Sequence, residues 1–203
     1  MKILQLLTFI LFLSVADAYA QFSSEYSRVA AENQSTYLSV PADIAYGANG
    51  RFAYKFKSYG NVRWDNAAFG DPIPGIVKSG YVRSFIYACN ENQSKYFATP
   101  VAVAYGHGEQ WSFKDGMAGQ ISFNNQTFGD PKPGTVKAGY YLPYNEVASE
   151  NGSYYINGVA DVAYGTQGKF VFKYNVSGNI NFNNATFGDP TPGVVKQGFV
   201  RIH

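Results

Sequence analysis

The chain is poor in the side chains that perform most chemistry. It has one cysteine and two histidines, and only 15% of its residues are charged. A lone cysteine, Cys89, excludes an intramolecular disulfide. The positions that match it in the repeats described below are Ala30 and Ala148, so this small-residue series points to burial. His107 and His203 have no histidine counterparts in those repeats. No HExxH, GxSxG, Cys/His metal spacing or phosphate loop occurs. The chain is therefore read as non-enzymatic, with no cofactor and no metal. Its formal charge is only +2 and forms no basic stripe, which argues against nucleic acid as a partner.

Long apolar runs are also scarce. The longest, Ile3–Val15, is shorter than the ~20 residues a membrane-spanning helix needs. Later runs are broken by Gly, Asn or charge, so no membrane insertion is expected. Lys2, the apolar run and Ala18-Tyr19-Ala20 have the order of a secretory signal over residues 1–20. The expected product is a secreted, extracellular chain starting at Gln21.

What the sequence does contain is said three times. AFGDPIPGIVKSGY begins at Ala68, TFGDPKPGTVKAGY at Thr127 and TFGDPTPGVVKQGF at Thr186, each 59 residues from the next. The same offset relates Tyr46, Tyr105 and Tyr164, each in an AYG tripeptide, and Glu32, Glu91 and Glu150, each followed by Asn. Such a period marks one supersecondary unit repeated. The domain is residues 21–203, with repeats at about 26–84, 85–143 and 144–203.

Within the third copy, period-two aromatics at Phe170, Phe172 and Tyr174 read as a strand. Ile180 and Phe182 read as its hairpin partner, with the turn at Asn175–Gly178. The other copies set Phe52/Tyr54 against Val62/Trp64 and Trp111/Phe113 against Ile121/Phe123. Gly60, Gly119 and Gly178 mark positive φ at the turn. Val159–Tyr164 reads as a third strand. Gly188–Gly193 holds two prolines and must be a shaped loop. Val77–Ala88 and Val136–Val147 read as strands running straight through the repeat junctions. About four strands per copy and twelve in all give an all-β fold. The expected topology is a pseudo-threefold β-trefoil-like barrel, closed by pairing Tyr26–Ala31 with Val195–Ile202. The alternative is three small β modules in tandem, each with a minor core.

Two residue sets stand out as ligand candidates. Tyr46, Tyr105 and Tyr164 are amphipathic rings beside glycine, suited to the rim of a binding site. Asp71, Asp130 and Asp189 recur in the loop, where the plainer role is to accept backbone N–H groups in a turn. Glu32, Glu91 and Glu150 would need to approach these aspartates to act as a glycosidase pair, and three equivalent active sites would be unusual. Lys78, Lys137 and Lys196 read as outward-pointing edge charges. Phe52/Trp111/Phe170 and Trp64/Phe123/Phe182 alternate as core residues. Six sequons, at Asn33, Asn92, Asn125, Asn151, Asn175 and Asn184, are glycan acceptors if the host is eukaryotic.

The order AYG…GxIxFNNxTFGDPxPGxVKxGY resembles a short module found singly or in tandem in secreted proteins, often attached to polysaccharide-degrading enzymes. That module carries cysteines near its ENxxxY stretch and after its final Lys. Here those places hold Ala30, Tyr37 and Gly80 in the first copy, and only Cys89 remains in the second. The resemblance implies an accessory, carbohydrate-associated role. The expectation is a lectin-like protein with three equivalent weak sites for a polysaccharide or other glycan. The competing expectation is a structural or protein-interaction module of the cell surface or matrix.

Overall fold

The computed structural model describes residues 25–202. The segment read as a secretory signal lies outside the described residues. The first copy contains β1 (Ser27–Ala31), β2 (Gln34–Ala48), β3 (Arg51–Trp64), a one-turn helix α1 (Asn66–Phe69) and β4 (Ser79–Ser84). The second contains β5 (Ile86–Asn90), β6 (Gln93–His107), β7 (Gln110–Phe123), α2 (Asn125–Phe128) and β8 (Ala138–Pro143). The third contains β9 (Asn145–Ser149), β10 (Gly152–Thr166), β11 (Lys169–Phe182), α3 (Asn184–Phe187) and β12 (Gln197–Ile202). The all-β reading and the count of four strands per copy hold.

Each copy forms its own four-stranded antiparallel sheet, with orders β1-β4-β2-β3, β5-β8-β6-β7 and β9-β12-β10-β11. The barrel closure expected from the sequence does not occur. β1 pairs with β4 of its own copy, Ala30 opposite Gly80, and β12 pairs with β9, Gly198 opposite Ala148. No closed barrel is formed among the described residues. The through-running strands are also interrupted: β4 ends at Ser84 and β5 starts at Ile86, and β8 ends at Pro143 before β9 starts at Asn145. After the break β5 pairs with β8 and β9 with β12, each within its own copy.

The hairpin lies elsewhere than expected. β2 and β3 pair along nearly their whole length and turn at Asn49-Gly50, both with positive φ (50° and 77°). Such a two-residue turn matches the twist of the strands it joins. The third copy turns at Gln167-Gly168 in the same way. Gly60, Gly119 and Gly178 do have positive φ, but they sit inside continuous strands beside a shift in register. They serve a bulge, which bends and twists a long strand.

Alternation then fills one core per copy. Trp64, Phe123 and Phe182 are fully buried as expected, beside Leu38, Phe97 and Ile156. Cys89 is buried in the second of these cores. A side-chain oxygen of Asp65, Asn124 or Asn183 caps each one-turn helix, accepting the Ala68, Thr127 or Thr186 amide at 2.9 Å. That turn presses Phe69, Phe128 or Phe187 onto the core aromatic, with ring centroids 5.4–5.6 Å apart.

The chain divides into two compact units after Ser84. The second unit holds two sheets joined by a further core. Phe85, Ala102, Ala104 and Leu142 of the second copy meet Tyr144, Ala163 and Phe199 of the third, flanked by Trp111, Phe113, Phe170 and Phe172. Tyr144 Oη accepts the Gly116 amide at 3.0 Å, and the Arg201 guanidinium lies 5.9 Å from the Phe85 ring centre.

Candidate functional site

The residues that recur at the 59-residue period converge on one arrangement per copy. Lys78, Lys137 and Lys196 follow the Pro-Gly turn and point inward, only 2–4% exposed. This corrects the reading of them as edge charges. Each ammonium meets three recurring acceptors, and that of Lys137 also lies 3.5 Å from the Lys132 carbonyl. Nζ lies 3.3, 3.2 and 3.2 Å from Oε1 of Glu32, Glu91 and Glu150. It lies 3.1, 3.0 and 3.1 Å from Oδ1 of Asp71, Asp130 and Asp189. It donates to the carbonyl two residues upstream at 2.8–2.9 Å. Three donors with three partners satisfy a lysine head group, which is what permits its burial.

The glutamate completes the frame. Its second oxygen accepts the lysine's own backbone N–H at 3.0–3.1 Å. Its first accepts the hydroxyl of Tyr46, Tyr105 or Tyr164 at 2.7, 2.6 and 2.9 Å. The same hydroxyl lies 3.1, 2.8 and 2.9 Å from the Oδ1 of Asn66, Asn125 and Asn184. The three tyrosines are 0% exposed, and each ring packs against the loop phenylalanine at 5.2–5.3 Å. They do not line a rim. Glycine beside them favours close approach of the hairpin backbone, not exposure: a Cβ at Gly47 or Gly106 would overlap the carbonyl of Arg51 or Gln110.

The aspartates are partly exposed, yet their ammonium contact differs from the simple turn expected of them. Only Asp189 also accepts a nearby backbone amide in a described bond, from Thr191 at 3.2 Å. Both carboxylates of each copy are thus brought together, as a glycosidase pair would require, but around one cation. Among the described residues no group of three His, Cys, Asp or Glu is placed to hold a metal ion.

Electrostatics follow the geometry. The tyrosine hydroxyl, then the lysine amide, hold the Glu32, Glu91 and Glu150 carboxyls below the ordinary carboxylate range. Burial, then the glutamate hydrogen bond, pushes the three tyrosines up. Burial opposes the lysine charge, but hydrogen bonds to Asp and Glu outweigh it and the lysines are raised. Carboxyls depressed in the fold bind protons more weakly than in the unfolded chain. Their contribution is fully present above the unfolded value of about 4.3 and is lost as pH falls through the folded value. The raised lysines contribute below their unfolded value of about 10.4 and stop contributing as pH rises beyond it. A urea titration series should therefore give a stability plateau between these limits, falling at both ends. A flat profile through acid would show that the frame adds no stability.

Other recurring residues face solvent. Tyr37, Tyr96 and Tyr155 are 54%, 55% and 68% exposed. Each stands opposite an exposed carboxamide on the neighbouring strand: Asn61, Gln120 and Asn179. Val77, Val136 and Val195 on the loop are 72–78% exposed. The tyrosines were legible as recurrent in the sequence, but the expected strand positions did not assign them a face. Val77, Val136 and Val195, expected within strands, instead lie on the loop before β4, β8 and β12. The six sequon asparagines are all exposed, and those at 125 and 184 also meet a buried tyrosine hydroxyl.

No protein-family model matches the chain, and no curated protein sequence does. Among the described residues no helix is long and apolar enough to cross a membrane.

Proposed function

We propose that the chain is an exported, non-enzymatic, multivalent carbohydrate-binding protein whose contact residues are Tyr37, Tyr96 and Tyr155 with their carboxamide neighbours. The observation that carries this reading is the exposed ring beside an exposed Asn or Gln, present once in every copy. An aromatic face stacks on the C–H face of a sugar, and a carboxamide offers both donor and acceptor to its hydroxyls. Tyr46, Tyr105, Tyr164 and the three loop aspartates, first picked out for this role, are engaged in the internal frame. That frame holds the sheets to which the exposed tyrosines belong.

The test is retention of the purified full chain on insoluble polysaccharides and a glycan array. Single Tyr→Ala substitutions at 37, 96 or 155 should weaken retention, and the triple variant should lose it. Linked weak sites gain ~10²–10⁴ in avidity, and that gain disappears when the sites are removed. Unchanged retention by a folded triple variant would move the site elsewhere. Failure of the intact chain to bind any glycan would overturn the reading.

A structural or protein-interaction role is the second reading. It draws on the buried Tyr–Glu–Lys–Asp frames and on Tyr96, whose hydroxyl donates to the Gln167 carbonyl at 2.6 Å within the second unit. In that case the exposed loop valines are the contact residues, and a triple Val→Ser variant should lose partner binding while the tyrosine variants retain it.

A further inference from the structure

The three copies differ at several inward positions, and at one of them, across the bulge, the first copy borders a cavity. Across the bulge Ala42 stands opposite Ser58, Val101 opposite Met117 and Ala160 opposite Val176. Met117 and Val176 pack against the cores of their copies, whereas Phe69 alone flanks the first core. Phe128 and Phe187 are accordingly 7% and 6% exposed, while Phe69 is only half-buried. The first copy holds a cavity of about 450 Å³ at this place, within the range of small-molecule sites. Ile44, Val62 and Phe69 give it an apolar floor, and Ser58, Tyr59 and Asn61 give hydroxyl and carboxamide groups.

Two cations complete the lining, Lys55 and Arg63. Lys55 Nζ sits 4.7 Å from the centre of the Phe69 ring, as Lys114 and Lys173 sit 5.6 and 5.0 Å from Phe128 and Phe187, so the cation recurs and the Ser58 gap is what sets the first copy apart. Arg63 is bridged to Asp65 at 2.9 Å, so much of its charge is balanced. One net positive charge beside a set of hydroxyl-matching groups suits a sugar that bears a single carboxylate. It does not suit a densely sulfated or phosphorylated chain.

We propose that the first copy carries an additional, specialised subsite for a uronic acid unit, with Lys55 binding the carboxylate and the Ser58 gap admitting the ring. The proposal rests on the carbohydrate reading above for its ligand class. It predicts that the copies are unequal, one acidic-sugar site accompanying the three similar surfaces.

The experiment titrates full-length chain with a tri-uronate, with the matching neutral trisaccharide and with benzoate, followed by NMR of labelled protein. Ser58→Met restores the side chain that the second copy uses and should remove uronate binding without loss of folding. Lys55→Gln should weaken uronate about tenfold or more, the scale of a lost charged hydrogen bond, and leave the neutral sugar unaffected. Uronate binding that survives Ser58→Met would overturn the subsite and leave the carbohydrate reading standing. Equal binding of benzoate would overturn the sugar class. Absence of uronate binding with neutral polysaccharide still retained would overturn the subsite alone, and absence of both would remove the two readings together.

Discussion

Phe123→Ala lowers the free energy of unfolding by about 3–5 kcal/mol, the usual effect of deleting a buried phenyl ring. The ring is fully buried and stacks on Phe128 with centroids 5.5 Å apart. Its other constraint is Gly139, where a Cβ would overlap Phe123 Cδ1 and Cγ. Gly139→Ala alone should therefore destabilise by about 1–3 kcal/mol, since neither the strand nor the ring has room to give. In the Phe123→Ala background the same methyl enters vacated space. The two changes together should cost less than their sum by about 1 kcal/mol or more. Urea titration of the four chains measures this, and strict additivity would show that ring and glycine do not constrain each other. The same relation holds for Gly80 with Trp64 and Gly198 with Phe182, so the result should transfer between copies.

Lys137→Met should also lower the urea midpoint at neutral pH. The substitution leaves Glu91 and Asp130 beside an apolar side chain, where before they shared one ammonium. Breaking a buried ion pair by removing one partner is more damaging than replacing both. The difference between variant and wild type should narrow as pH falls through the depressed range of the Glu91 carboxyl, because once protonated it no longer requires the cation. Lys137→Arg should rescue poorly, since a planar guanidinium cannot direct donors to three acceptors placed around a point. An unchanged midpoint in Lys137→Met would mean that the loop is held by its prolines and the helix cap alone.

Much of the architecture was legible in the 59-residue period and the alternation of apolar residues. Trp64, Phe123 and Phe182 were identifiable as core because every second residue around them is polar or small. The hairpin was legible only in the first copy, as the Asn49-Gly50 pair; Gly50 gives way to Glu109 in the second copy, whereas Gly60, Gly119 and Gly178 recur in all three, and glycine with positive φ serves a turn and a bulge equally. Strand partners were hidden for another reason. Ser27–Ala31 carries a pattern that suits any sheet edge, and its choice of β4 is made by chain connectivity within the copy. The site residues illustrate a limit of residue type as a guide. Lysine is ordinarily exposed, and Lys78 is buried because Glu32, 46 residues upstream, and Asp71 converge on it. The first-copy cavity was present in the sequence as Ser58 against Met117 and Val176. Its meaning required knowing that this position points inward.

The pairing of β1 with β4 has a consequence for how the protein is made. In each copy the opening strand has no strand partner, and the glutamate that follows it no cation, until the closing strand and its lysine have been synthesised. Contacts of such sequence separation form slowly compared with local ones. The central hairpin can zip as soon as it leaves the ribosome, but the copy stays unlocked, its first strand a loose end, until the residues after the Pro-Gly turn emerge. A pause or truncation before Lys78, Lys137 or Lys196 leaves an exposed sheet edge of the kind that recruits neighbouring chains into aggregates. Completion thus advances stepwise from the N-terminus, each copy closing on itself as its final strand appears.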